Sequence, residues 1–283
     1  MKFGFVTCVQ LGLSCLEELY LQGAIPDLVL TLEDDMAKSK SGRVYLDSFC
    51  ASIGAPLTKI RHIDDRVATR AIRSAQLDWL FIVGWSQIAG LEVLKLPRRG
   101  CVGMHPTLLP IGRGRASVPW AIIKGMDETG VSMFVLDEGV DTGSIIAQEV
   151  IPLLPDETAT TLYSKVDAAH ITLIRRTWPS FEAETVAPQP QDETQATVWP
   201  GRRPEDGAIH PGLTTADIDR LVRALAPPYP GARFVDDSGA TWVIHPPEGP
   251  PATEPLNLPA ADGVYKSHHY RALPQTPESG SCE

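Results

Sequence analysis

No stretch of this 283-residue chain stays apolar for the roughly 18–20 residues that a membrane-spanning helix needs, so no membrane partner is expected. The amino terminus lacks the charged, apolar and small-residue regions of a signal peptide. It runs from Met1-Lys2 straight into the β-prone Phe3-Gly4-Phe5-Val6, and the expected location is the cytoplasm. Cysteine is scarce, with five in all, an odd number and no CxxC pair. That pattern offers neither a disulfide framework nor a zinc site, and no metal is expected. Cys8, Cys15, Cys50 and Cys101 read as small buried apolar residues. Positive charge is the minority sign: 25 Lys+Arg stand against 35 Asp+Glu, for a net charge of −10. A protein that grips a phosphate backbone usually carries a basic face, so nucleic acid is an unfavoured partner. The chain has no internal repeat.

The first two thirds alternate short apolar runs with helical patterns. Strands are predicted over Lys2–Cys8, Asp27–Leu32, Pro56–Lys59, Trp79–Val83, Cys101–His105, Gly130–Leu136 and Ser144–Ile151. Helices are predicted over Leu13–Gln22, Gly42–Ile53, Asp65–Gln76, Val118–Lys124 and Thr158–Phe181. Trp79-Leu80-Phe81-Ile82-Val83 is apolar at every position, which suits a central strand buried on both faces. The alternation predicts a doubly wound α/β sheet, whose ligands sit at the carboxyl ends of the strands. A polar, proline-rich stretch around Ala187–Asp192 reads as a linker. Beyond it, Thr215–Leu225 is an amphipathic helix with Ile218, Leu221, Val222 and Leu225 on one face, and Thr214 with Asp217 resembles a capping box. Ala232–Val235 and Thr241–Ile244 read as strands joined by the turn Asp236-Asp237-Ser238-Gly239. The expected partition is a catalytic domain over 1–186, a linker over 187–202, a small domain over 203–271 and a disordered tail over 272–283.

The chemistry is expected around Gly100-Cys101-Val102-Gly103-Met104-His105-Pro106-Thr107-Leu108-Leu109-Pro110. A strand delivers His105 to its carboxyl end and stops there, because Pro106 and Pro110 cannot continue a central ladder. Leu136-Asp137-Glu138-Gly139-Val140-Asp141-Thr142-Gly143 is a tight acidic loop between two predicted strands. Asp141 follows His105 by about one strand–helix–strand unit, so both could reach one sheet edge, where a carboxylate would orient the imidazole. Taken alone, each has a bland alternative: a structural histidine and a solvated hairpin loop. Lys38-Ser39-Lys40-Ser41-Gly42-Arg43 is a basic loop ahead of a predicted helix, and helix amino termini bind anions.

His-Pro-Thr-Leu-Leu-Pro, then Gly112-Arg113-Gly114, Trp120-Ala121-Ile122 and Asp-Glu-Gly-Val-Asp-Thr-Gly together resemble the folate-dependent formyltransferases. This group includes the methionyl-tRNA, glycinamide ribonucleotide and amino-sugar enzymes. The likeness runs from about Met1 to Thr185. Arg203-Pro204-Glu205-Asp206-Gly207-Ala208-Ile209, Arg223-Ala224 and Pro228-Tyr229-Pro230-Gly231-Ala232 resemble the carboxy-terminal region of the tRNA and amino-sugar members.

The resemblance implies a Rossmann-like doubly wound fold, the formyltransferase fold, with a small mixed or β, OB-like, carboxy-terminal domain. It implies formyl transfer from 10-formyltetrahydrofolate, as co-substrate, to an amine. Of the family's Asn, His and Asp triplet, His105 and Asp141 match, whereas Gly103 stands where the family has Asn. The Asn amide is an oxyanion donor there, and losing one such donor typically costs roughly 3–4 kcal/mol. A backbone N–H or water could replace it, the acceptor could be a strong nucleophile such as a hydroxylamine, or the enzyme could be a hydrolase. The hydrolase domain of formyltetrahydrofolate dehydrogenase also lacks this Asn. The resemblance further implies a pteridine slot formed by Trp85, Gln87 and Ile88 with Asp137, Glu138, Gly139 and Val140. Lys38, Ser41, Arg43, Thr107, Arg113 and Arg115 are the candidate acceptor contacts. From Arg203 to Glu283 there are 6 Lys+Arg and 11 Asp+Glu. That acidic balance favours a small-molecule amine, such as an amino sugar or modified amino acid, over charged tRNA. A homodimer is one assembly the sequence allows. The other readings are a methionyl-tRNA formyltransferase and an inactive folate-binding homologue.

Overall fold

Runs of apolar, β-branched and aromatic residues become strands here, and they are buried along their length where both faces are covered. The computed structural model describes residues 1–37, 42–247 and 249–273. In chain order the elements are β1 (Phe3–Val6), α1 (Gln10–Leu21), β2 (Leu28–Leu32), α2 (Asp34–Ala37), α3 (Asp47–Ile53), β3 (Leu57–Ile60), α4 (Arg66–Ala75), β4 (Trp79–Ile82), α5 (Leu91–Leu94) and β5 (Gly100–His105). They continue with β6 (Arg113–Gly114), α6 (Ser117–Ile123), β7 (Glu128–Val135), β8 (Ile145–Pro152), α7 (Ala159–Glu182) and β9 (Val198–Trp199). The last are α8 (Thr215–Ala224), β10 (Ala232–Val235), β11 (Thr241–Ile244), β12 (Leu256–Ala260), β13 (Gly263–Ser267) and β14 (Tyr270–Ala272).

The main sheet has seven strands in the order β3-β2-β1-β4-β5-β7-β8. The first five are parallel, and β7 and β8 run as an antiparallel pair beside β5. Winding outward in both directions from β1 and β4 makes a doubly wound sheet with its switch point between them. One face packs Phe3 and Phe81 against Trp178 and Phe181 of α7, with ring centroids 4.8 Å apart for Phe3–Trp178 and 5.0 Å for Phe81–Phe181. The other face packs Leu30, Leu80 and Cys101 with Ala68 and Ile72 of α4 and with Val93 of α5. Helix α4 starts where Asp65 accepts the Ala68 N–H at 2.7 Å.

Two sequence expectations shift at element ends. The helix predicted over Gly42–Ile53 begins only at Asp47. Residues 42–44 pair instead with the chain after β1: Val9 bridges Arg43, and Val44 N–H donates to Cys8 O at 3.1 Å. The proline-rich stretch is also used structurally, since Gln189 exchanges backbone hydrogen bonds with Ile145 at 2.8 Å each.

Grouped by contacts, the chain forms two interleaved units. The first comprises Met1–Gly114, Glu128–Pro152 and Ser164–Trp199; the second comprises Arg115–Asp127, Leu153–Tyr163 and Pro200–Glu283. The chain-order partition at 187–202 is therefore not how the contacts divide. In the second unit Thr214 and Asp217 form the expected capping box, with Thr214 Oγ1 accepting from Asp217 N at 3.1 Å and Asp217 Oδ2 accepting from Thr214 N at 3.3 Å. Its strands pair as a three-stranded sheet, β10-β11-β14, and a hairpin, β12-β13. Ile209, Ile218, Leu221, Val222 and Leu258 form its core, and Ile123 of α6 packs on it. Among the described residues, no helix is long and apolar enough to cross a membrane.

Candidate active site

The carboxyl end of β5 is where the alternation of side chains puts Gly103 and His105 on one face of the strand. The antiparallel partner β7 sets Ser132 opposite His105 and Phe134 opposite Gly103. Ser132 is fully buried, and its hydroxyl fixes the turn that follows His105. It donates to Thr107 O at 2.7 Å, accepts from Leu109 N at 2.9 Å and accepts from Gln148 Nε2 at 2.8 Å. Gln148 also donates to Leu109 O at 2.9 Å. The abrupt stop of the strand is thus held by buried polar groups that are mutually satisfied.

His105 is buried, and its ring lies between two acceptors. Nε2 is 2.8 Å from the Gly112 carbonyl, and Nδ1 is 3.6 Å from Asp141 Oδ2. A carbonyl can only accept, so Nε2 carries the hydrogen of that bond and a neutral ring keeps its lone pair on Nδ1. Asp141 Oδ2 also accepts the Gly114 N–H at 2.8 Å, which holds the carboxylate beside the ring. Asp141 has φ of 56°, a left-handed backbone that Asp tolerates better than most residues. The hairpin closes tightly two residues later, where a Cβ on Gly143 would lie 1.7 Å from Val135 O.

Residues that the sequence did not flag secure this loop. Gln191 donates from Nε2 to Asp141 O at 2.8 Å and to Gly143 O at 2.7 Å. Its Oε1 accepts from Arg113 Nε at 3.1 Å and Nη2 at 2.7 Å. Glu193 takes the remaining edge of the same guanidinium at 2.8 and 2.6 Å. The Glu193 hydrogen bonds raise the Arg113 pKa and lower that of Glu193. Arg113, which the sequence leaves open as either a support for the structure around His105 or an acceptor contact, directs its donors to protein partners. Gln191 gave no sequence signal, because it sits in a stretch whose composition says only linker.

Gly103 is buried, and the face it shares with His105 is filled by a leucine. A Cβ at position 103 would meet Leu136 Cδ2 at 2.6 Å and Leu136 Cγ at 3.2 Å. Apolar atoms thus occupy the space where an amide donor would stand.

The remaining candidates are distributed as follows. Gln87 accepts from Ile63 N and donates to Arg61 O, both at 2.9 Å, so its side chain fastens the segment after β4 to the segment after β3. Ile88 is 71% exposed and Val140 is also exposed. Trp85 packs on the core cluster, yet its buried indole N–H has no hydrogen-bond partner among the described residues. Asp137 Oδ1 accepts from Gly139 N at 3.0 Å and Thr142 Oγ1 at 2.6 Å, which stiffens the loop from within. Glu138 and Gly139 are exposed. Thr107 is buried with its hydroxyl unpaired. The Arg43 side chain is buried in the first unit although the residue as a whole is half-buried, Arg115 lies exposed in the second, and Lys38 and Ser41 fall outside the described residues. No group of three or more His, Cys, Asp or Glu among the described residues is placed to hold a metal ion.

A protein-family model described as formyl transferase matches residues 29–177. A methionyl-tRNA formyltransferase of Synechococcus sp. (strain JA-3-3Ab) is 32% identical over 203 residues, covering 69% of this chain and 63% of that protein. A methionyl-tRNA formyltransferase of Agathobacter rectalis is 37% identical over 173 residues, covering 61% of this chain and 55% of that protein. The chain thus spans less than two thirds of the length of these curated relatives. Among solved structures, the N-formyltransferase from Helicobacter canadensis, in complex with folinic acid and dTDP-3-aminofucose, superposes with a TM-score of 0.69 at 16% identity. The alignment covers 96% of this chain and 100% of that one. HypX from Aquifex aeolicus, in complex with tetrahydrofolic acid, superposes with a TM-score of 0.67 at 18% identity, over 96% of this chain and 44% of that one. At such identities the likeness is one of fold.

Proposed function

Because the chain belongs to the formyl transferase family, we propose that it moves a formyl group from 10-formyltetrahydrofolate to the amine of a small acceptor, an amino sugar or modified amino acid. The observation that carries this reading is the meeting of His105 and Asp141, 3.6 Å apart, at the carboxyl end of the central sheet. The amine forms a C–N bond to the formyl carbon, and the bond from that carbon to the folate nitrogen breaks. The attacking amine must lose a proton and the departing nitrogen must gain one. His105 Nδ1 is the basic atom left free by the Gly112 contact, so it takes the proton and passes it on. The Asp141 carboxylate faces the positive charge that the ring then carries.

Trp85, Ile88 and Val140 suit the apolar faces of a pteridine, and the unpartnered Trp85 N–H suits one of its acceptors. Backbone groups of residues 137–141 would read its polar edge. Gly103 offers no side-chain donor to the oxyanion, so stabilisation falls to a backbone N–H, an ordered water or the charged His105 ring.

The test is conversion of 10-formyltetrahydrofolate to tetrahydrofolate with a panel of amines: nucleotide-linked amino sugars, hydroxylated ornithine and charged initiator tRNA. Conversion should depend on one small amine and fall by about 10²–10⁴ in His105→Ala and in Asp141→Ala. Equal conversion without any amine would replace transfer by hydrolysis. Folate binding with no conversion under any condition would make the chain a binding homologue.

A further inference from the structure

We propose that Arg43 is the receptor for an oxyanion carried by the acceptor, a phosphate or a carboxylate, held at the carboxyl end of β2. This rests on the transfer reading above and adds to it the acceptor's chemistry and reach.

Arg43 and Arg113 are buried equally, each with a side chain 6% exposed. Arg113 has Nε, Nη1 and Nη2 all hydrogen-bonded to Gln191 and Glu193. Arg43 has one such bond, from Nη2 to Leu32 O at 2.7 Å. Among the described residues its Nε and Nη1 have no hydrogen-bond partner. The nearby Asp34 carboxylate is 3.9 Å from Nη2, beyond hydrogen-bond range, and the Tyr45 ring stands 5.1 Å from the guanidinium. A buried guanidinium stripped of water and left with open N–H groups is costly unless something else accepts from them. The planar fork of arginine is suited to carboxylate and phosphate oxygens.

The backbone places this group where doubly wound sheets bind ligands. Arg43 bridges Val9, just past β1, and its side chain reaches the last residue of β2. The order β2-β1-β4-β5 puts three interstrand steps between Leu32 and His105. At about 4.8 Å per step the separation is roughly 14 Å. The acceptor is therefore an extended molecule, with its amine at His105 and its anionic group about that far away. A simple amine without an anionic end does not fill both positions.

The experiment uses the full chain and two probes, inorganic phosphate and acetate, at ionic strength held constant with chloride. Thermal denaturation and calorimetric titration should show saturable stabilisation by at least one anion. Arg43→Gln should weaken it at least about tenfold, while Arg43→Lys keeps part of it. Arg66→Gln, on the exposed face of α4, should leave it unchanged. In the wild-type protein, an arginine Nε–Hε resonance absent from Arg43→Lys should move on titration, which answers the question even where Arg43→Gln folds poorly. A response to phosphate alone identifies a phosphorylated acceptor, and a response to acetate alone a carboxylated one. No response dependent on Arg43, or an equal loss in Arg66→Gln, overturns the proposal. His105→Ala should bind the anion as wild type does, so loss of transfer and loss of anion binding are read separately.

Discussion

At the scale of single residues, the proposed site is a short list of atoms held in place by hydrogen bonds from neighbouring side chains. Gln191 is the sharpest case. Its amide joins the arginine that follows His105 to the backbone that carries Asp141. Gln191→Ala should lower kcat by about ten- to a hundredfold through misplacement of Asp141, with KM for the folate little changed. It should also cost about 1–3 kcal/mol, because buried donors of Arg113 lose their acceptor. Gln191→Glu keeps that acceptor but sets a carboxylate against two carbonyls. It should therefore recover stability better than rate, and parallel recovery of both would argue for a purely structural role. Steady-state kinetics beside denaturant titrations decides this. Position 103 gives the second case. Gly103→Asn alone drives a Cβ into Leu136, and overpacking of this kind costs about 1–3 kcal/mol. Gly103→Asn with Leu136→Ala should restore folding. If a missing oxyanion donor limits the rate, the double variant should outpace Leu136→Ala alone; a double variant no faster would mean that the reaction is supported elsewhere.

At the scale of elements, strand and helix identities follow from periodicity where an element is long and buried. The apolar run at β4 and the capping box of α8 are as the residues predict. The elements that escaped are those whose residues carry no repeating pattern. Strand β12 contains Pro259 and alternates only weakly, α5 is a single turn, and β6 and β9 are two residues each. Their existence depends on partners far along the chain, which local preference does not encode. The site divides in the same way. His105 and Asp141 are singled out by the family resemblance, since a strand-end histidine and a tight acidic loop each have a bland alternative when taken alone, whereas Gln191, Ser132 and Leu136 act through contacts that only folding creates. Helix α7 adds a titration that periodicity would not reveal. His170 is buried, and burial, opposed by its bond to Val166 O and assisted by nearby His105, pushes its pKa down to about 4. Its unfolded value is near 6.5, so the folded state resists protonation. The contribution to stability is complete above about pH 6.5 and is lost as pH falls through 4. His170→Asn, which can still donate to Val166 O, should flatten the fall in melting temperature over that window relative to wild type. An unchanged slope would show that other groups drive the acid sensitivity.

At the scale of the whole molecule, the two units do not follow one another along the chain. Residues 115–127 and 153–163 belong with the carboxy-terminal third, and Ile123 packs against Ile209, Ile218 and their neighbours. A fragment ending at Trp199 therefore keeps two segments whose partners are gone. Burying an apolar side chain contributes about 1.5–3 kcal/mol, so this fragment should bind an apolar dye, elute as aggregates and melt below the full chain. A monomeric fragment that melts as the full chain does and ignores the dye would mean that these segments are stable unaided. Interleaving also imposes an order on synthesis. When α6 leaves the ribosome, the residues that cover it are still untranslated, and at about 5–20 residues per second they arrive several seconds later. Through that interval the nascent chain carries an uncovered apolar helix in the middle of the polypeptide, which is a binding site for a chaperone until the carboxy-terminal third emerges.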